Sequence, residues 1–482
     1  MNRWQRVAAA VALLGVGCAG LPPKQKPVAL SAAVPFDGLA GEAGGDWPAA
    51  EWWKRYQDPT LDQLIELAVG SSPTLAAAHA RFDSARQSVR IAGAASGARI
   101  DANTDFERER LSDNGLFPPR LLGFNWYNQA DLGLQASYTF DWWGKQRDAV
   151  EAAVDQAHAA QAERSAAALT LASSIADTYF GWQSDEDRIA LARERAALVE
   201  REGSIAAARV KADLDAVDDT RRAELALAAI REQIAALEGS AQLRVVALAA
   251  LVGRSIAELP PLQAKPLPAV SGNLPDNVKI DLISRRADIT ASRWRVEAAE
   301  RSLDSARAEF FPDVTINALL GLSSIDVGRL IEYGSRVPQA GAALHLPIFD
   351  AGRLKARYGA SRSAIDAAVA DYQDTLVGAA RDVATQASTR AQIAAQRTQR
   401  LIEADAARQL QSNAAARVRQ GVTDPRPELT AAESSIEQRD ALLQLDAAAL
   451  SADIALQRAL GGGYENPQQL ANSRTTAAAA TP

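Results

Sequence analysis

Four stretches of the chain alternate apolar and polar residues with a period of two. In the first, Ile100, Ala102, Thr104 and Phe106 alternate with Asp101, Asn103, Asp105 and Glu107. In the second, Leu132, Leu134, Ala136, Tyr138 and Phe140 alternate with Asp131, Gly133, Gln135, Ser137 and Thr139. Val314, Ile316, Ala318 and Leu320 oppose Asp313, Thr315 and Asn317 in the third, and Ala342, Leu344, Leu346 and Ile348 oppose Gly341, Ala343 and His345 in the fourth. This period predicts strands with one apolar face, at about 98–107, 129–140, 313–323 and 338–348. Each is about the length a tilted membrane strand needs, although four are too few to enclose a pore alone.

Elsewhere the period is seven. Leu191, Leu198, Ile205 and Ala212 step by heptads, as do Leu227, Ile234, Ala241 and Leu248, with Ile230 and Leu237 between; Leu429, Ile436, Leu443 and Leu450 repeat the pattern. Sustained heptads predict long helices in coiled-coil packing. No proline interrupts Lys145 to Lys211, a helix of ~100 Å at ~1.5 Å per residue. The breaks "KADLDAVDD" and "RQGVTDPRPE" predict hairpin tips at about 212–219 and 420–427.

These elements come in two copies. Phe140 matches Phe349, Arg209 matches Arg417, and Gly253 matches Gly461, at separations of 209, 208 and 208. Each copy reads helix, strand, loop, strand, very long helix, turn, helix. The copies occupy 71–254 and 281–463, joined by a Pro-rich connector at 255–280, preceded by a segment at 18–70 and followed by a tail at 464–482 without apolar periodicity. A strand-to-helix joint recurs as "TFDWWGKQ" and "PIFDAGRL". Phe140 and Phe349 end the strands, Gly144 and Gly352 provide bends, and Trp142 and Trp143 are expected at a membrane interface.

Composition narrows the class. A formal charge of −7 argues against a general nucleic-acid role. Aromatics make up 6% against a hydrophobic content of 48% rich in alanine, which favours close helix packing. "MNRWQRVAAAVALLGVGCAG" opens with Arg3 and Arg6, then an apolar stretch, then small residues before Cys18, which suits a signal peptide over 1–17. Cys18, the single cysteine, resembles a lipobox acceptor for diacylglycerol, with Gly15 where leucine is usual; an ordinary signal with an incidental cysteine is the other reading. No other segment reads as a spanning helix, so any crossing of a bilayer is expected through a closed β-barrel.

Three blocks carry a family resemblance: "EWWKRYQDPTLDQLIELAVGSSPTL", "LISRRADITASRWRVEAAERSLDSARAEFFPDVTI" and the closing "ALGGGY". Together they resemble the TolC/OprM-type outer membrane factors, NodT-like outer-membrane lipoproteins among them, over nearly the whole mature chain. Ala287 stands where the pattern has proline. The resemblance implies a mixed α/β membrane protein. Three chains would form a homotrimer with a twelve-stranded outer-membrane β-barrel, continued by a coiled-coil α-helical periplasmic barrel. The 18–70 segment, connector and tail would wrap its middle. It further implies a passive channel serving an inner-membrane pump and a periplasmic adaptor, and gating at the periplasmic tips. Mapped here, the gate holds Asp213, Asp215, Asp218, Asp219, Thr423 and Asp424, with Arg209 and Arg417 as latch partners. Asp424, just after Gly421 at the turn, is the first of these to test.

No enzymatic motif is visible. His79, His158 and His345 lie apart without metal-ligand spacing, and no cofactor or metal is expected. Within the channel class, type I protein secretion competes with efflux of drugs, metals or other small molecules. A coiled-coil structural lipoprotein would explain the heptads but not the paired alternating strands.

Overall fold

The computed structural model describes residues 22–24, 26, 28–30, 43–114, 118–270, 274–275 and 278–466. The expected signal peptide, Cys18 and the tail from residue 467 lie outside the described residues. The chain divides into two compact units, each drawing on both sequence copies.

The second unit contains a short parallel pairing of β1 (Ala43–Gly45) with β4 (Leu274–Pro275). The first unit holds an antiparallel sheet of β2 (Arg99–Arg110), β3 (Trp126–Phe140), β5 (Asp313–Ser324) and β6 (Arg336–His345), in the order β2-β3-β5-β6. Register fixes the faces. Ile100 pairs with Ala136, Ala136 with Ala318, and Ala318 with Ala340, so even-numbered residues share one face. That face is apolar and exposed at Ile100, Leu132, Leu134 and Leu320. The odd face carries every strand carboxylate, from Asp101 and Asp105 to Asp131 and Asp313. β2 and β6 are left as edges.

Two strand ends differ from expectation. β2 and β3 run further, to Arg110 and from Trp126, because their ladder continues through the charged "ERER" stretch that hydropathy does not flag. β6 stops at His345 rather than 348: Pro347 has no N–H for a ladder.

The helices fall as α1 (Pro59–Ser71), α2 (Pro73–Ala95), α3 (Lys145–Lys211), α4 (Val217–Val252), α5 (Val278–Arg285), α6 (Ala287–Ala308), α7 (Arg353–Arg419) and α8 (Arg426–Ala459). A single turn at Pro119–Leu122 interrupts the β2–β3 connection. α3 and α7 each span 67 residues. In the second unit α3 lies between two antiparallel partners. Towards α4 it pairs Asp185 with Arg244, Arg193 with Glu238 and Glu200 with Arg231. Towards α8 it pairs Arg188 with Asp440 and Arg195 with Glu433, both at 2.8 Å.

That double contact shifts the heptad phase. On α3 the buried positions are Ala192, Val199 and Ala206, one residue beyond Leu191, Leu198 and Ile205, which are half-buried. A helix with neighbours on two sides buries a stripe wider than one heptad seam. α4 also departs from expectation, since by length and a mean hydropathy of 1.5 it would qualify as a membrane span. Its alanines raise that average. Leu237, Leu248 and Val252 are buried in the protein's own core, and Arg244 pairs with buried Asp185, so α4 reads as a coiled helix.

The "EWWKRYQDP" block builds that core. Trp52, Leu61, Leu64 and Ile65 cluster with Ile175, Tyr179 and Phe180. Asp58 caps α1 through the Thr60 amide and accepts hydrogen bonds from Tyr179 at 2.9 Å and Lys265 at 3.2 Å. Burial opposes its charge, but the Tyr179 hydroxyl and the other donors hold its carboxyl below the usual range. Ala287 opens α6 and is buried; the break after α5 persists without proline. Arg286 fills it, donating to Asp288 and to the Ala459 carbonyl.

Candidate gate and strand-to-helix joints

Both helix hairpins turn in the same way. At the first tip the Leu214 amide donates to the Arg209 carbonyl at 2.9 Å, with Asp213 at φ +56°. At the second, the Val422 amide donates to the Arg417 carbonyl at 3.0 Å, with Gly421 at φ +71°. A left-handed residue closing a 6→1 hydrogen bond ends a helix in the Schellman manner, for which glycine is favoured and aspartate tolerated. The repeat separation of 208 therefore extends to individual hydrogen bonds.

Charge distinguishes the tips. Arg209 grips Asp215 with two hydrogen bonds, of 2.7 and 2.9 Å. Arg426 binds Asp424 at 2.9 Å and stands 3.5 Å from Asp215, while its amide donates to Asp424. Asp215 belongs to the first copy and Asp424 to the second, so Arg426 joins the two hairpins. A cation in a first helical turn opposes the helix dipole, and the two carboxylates offset that cost. The Arg209 hydrogen bond holds Asp215 below the ordinary carboxylate range, and the Arg426 hydrogen bond does the same for Asp424.

The other expected gate residues are placed differently. Asp219 pairs with Arg222 on its own helix. Asp218 stands exposed in the first turn of α4, and Thr423 is exposed in the turn. Asp213 and Asp218 make no ion pair among the described residues. Nor does Arg417, expected as a latch partner; the ion pairs at this tip are made by Arg426. Sequence reasoning missed Arg426 because its first-copy partner lies 211 positions away. The available signal was an arginine where the other copy has Asp218.

At the first joint, Asp141 accepts from the amides of Gln146 and Arg147, at 3.1 and 2.7 Å. Gly144 sits at φ +81° and α3 starts at Lys145. At the second, Asp350 accepts from Gly352 and Leu354, Gly352 sits at φ +89°, and α7 starts at Arg353. The shared aspartate is thus a helix-initiating acceptor for otherwise unsatisfied amides. The tryptophans do different work. Trp143 stacks on Phe311 at 4.4 Å and donates from Nε1 to the Pro312 carbonyl. Trp142 stacks on Phe140 and stays 64% exposed. Phe349 at the second joint is 89% exposed.

Comparison with known proteins accounts for this architecture. A sequence profile described as outer membrane efflux protein matches residues 64–254 and 280–462, one match to each copy. The multidrug resistance outer membrane protein MdtP of Escherichia coli is 32% identical over 430 residues, covering 88% of each chain. The putative multidrug resistance outer membrane protein MdtQ of Shigella flexneri is 29% identical, over 94% of this chain and 96% of its own. The solved outer membrane protein VceC of Vibrio cholerae superposes with a TM-score of 0.78 at 32% identity, over 87% of this chain and all of that one. The Campylobacter jejuni outer membrane channel CmeC shares the fold, with a TM-score of 0.80 at 20% identity. These relatives are channel proteins rather than enzymes. The protein is an outer-membrane efflux channel of the TolC type, and the chain belongs to the outer membrane efflux protein family.

Proposed function

We propose that three copies of this chain close into one conduit, gated at its periplasmic helix tips. The conduit takes cargo from an inner-membrane, proton-driven pump through a periplasmic adaptor. The observation that carries this reading is the sheet: four strands, apolar on one face, polar on the other, with both edges open. Such a sheet satisfies its outer backbone groups in lipid only by pairing β2 with β6 of another copy. Three copies give twelve strands, with the carboxylate-bearing face turned to a water-filled lumen. The relatives' names point to drug-like cargo. Diacylation at Cys18 would add an anchor, and intact-mass measurement on membrane-extracted protein reads it directly.

At the tips the Arg426 clasp holds the two hairpins of each chain together, and adaptor docking opens the iris by separating them. The channel supplies a path and the pump supplies the energy. Recording from purified, detergent-extracted protein in planar bilayers tests the reading. A heat-modifiable trimer with small, steady conductance is expected; protein that stays monomeric and forms no pore would defeat it.

A further inference from the structure

The lipid-facing side of the sheet carries charge of one sign only. The strand carboxylates all occupy odd positions, while Arg108, Arg110 and Arg336 occupy even ones, among the apolar residues. Register places all three towards the loop end of the sheet: Arg110 pairs with Trp126, and Arg336 with Leu322. α3 and α7 begin beyond the opposite ends of β3 and β6, so with that end periplasmic, as proposed above, the arginines lie in the outer half of the bilayer. Arg110 has Asp113 at 3.7 Å. Arg108 and Arg336 have no carboxylate within ion-pair reach among the described residues. Each lies over an aromatic ring instead, Arg108 over Trp126 at 5.6 Å and Arg336 over Tyr333 at 4.3 Å.

An apolar trough of about 540 Å³ ends at Arg336. Leu132 and Leu134 of β3 and Leu320 and Leu322 of β5 form its walls, with Ala102 from β2. Hydrocarbon-sized space ending at one guanidinium matches an amphiphile with an acyl chain and an anionic head. A guanidinium on a lipid-facing surface is costly unless an anion meets it, and phosphate suits its planar fork of donors.

We propose that this trough and Arg336 bind a phosphorylated glycolipid of the outer leaflet, its acyl chain along the leucines and its phosphate at the guanidinium. Arg108 and Arg110 extend the cationic rim. The assignment rests on the reading that this face meets lipid. The outer leaflet of such a membrane is built of phosphorylated glycolipid, which selects that class over a phospholipid of the inner leaflet.

The test uses the full-length trimer in phosphatidylcholine nanodiscs, with bound lipopolysaccharide counted by native mass spectrometry. Wild-type protein should retain lipopolysaccharide several-fold better than R336Q, R336K should retain most of it, and enzymatically dephosphorylated lipopolysaccharide should bind as poorly to wild type as the intact lipid does to R336Q. Equal retention by wild type and R336Q, or undiminished binding of the dephosphorylated lipid, overturns the site. Phosphatidylglycerol competing on equal terms overturns its assignment to glycolipid. Trimer and conductance are read on the same preparation, so failure of the channel reading appears separately, as a missing pore.

Discussion

At the first hairpin tip the chain turns on Asp213 and restarts its helix with Asp218 and Asp219; at the second it turns on Gly421 and restarts with Arg426. The backbone hydrogen bonds coincide. After duplication, the turn was kept and one position at the head of the returning helix came to carry the opposite charge. Two identical acidic tips would repel. One cationic tip against one acidic tip attracts, and the contact can be undone without altering either turn.

Removing that difference should have the largest effect. Arg426→Ala leaves Asp215 and Asp424 without their shared partner, and single-channel conductance in planar bilayers should rise several-fold. Arg417→Ala, at the site that lacks an ion pair, should leave it near wild type; equal effects would refute the assignment to Arg426. Asp424→Ala should open the channel less than Arg426→Ala does, because Arg426 keeps Asp215 within reach.

Acid should do reversibly what these substitutions do permanently. The folded pKa values of Asp215 and Asp424 are depressed, so the contribution of their ion pairs is present above the unfolded value, about 3.9. It is lost as pH falls through the folded values. Conductance should therefore stay low through neutral and mildly acidic pH and rise only below about pH 4. A rise already at pH 6 would assign the gate to other groups. High salt should loosen the exposed Arg426–Asp424 pair in the same direction.

The joints offer a second contrast. Trp143→Ala loses a ring stack and an indole hydrogen bond, about 1–2 kcal/mol together, and should lower the temperature at which the trimer dissociates on gels. Trp142→Ala, whose ring is mostly exposed, should leave that temperature unchanged. The smallest effect is expected from Asp213→Gly, which gives the first turn the residue of the second. It should raise the melting temperature slightly and leave conductance alone.

Much of this arrangement is legible in sequence, for identifiable reasons. A period of two marks Leu132 to Phe140 because one face is apolar, and it fades at Glu107–Arg110 because both faces there are charged. Heptads reveal the α3 and α8 coils, but alanine-rich helices with two neighbours do not fix which residue sits at the seam; Val199, not Leu198, is buried. Arg209 could be found from its place beside a cluster of acids. Arg426 was marked only by its charge, opposite to that of Asp218 at the matching position; its partner Asp215, from the other copy, appears only in the fold. Asp141 and Asp350 were visible as shared residues, but their hydrogen bonds to helix amides appear only once the chain is folded.

Along the seam between α3 and α8, the last ion pair before the clasp, among the described residues, is Arg195 with Glu433. From Arg195 to Lys211 the helix runs on for ~24 Å without another ion pair to α8; its pair in this stretch, Glu200 with Arg231, is to α4. On the α3 side the hairpin end is therefore joined to α8 by ion pairs only at that point and at its free end, with Val199 and Ala206 buried between. A force applied there by an adaptor works with the full length of the lever arm. In the proposed gate such a force would part the tips by breaking the Arg426 contact, leaving the pairs at Arg195 and Arg188 intact.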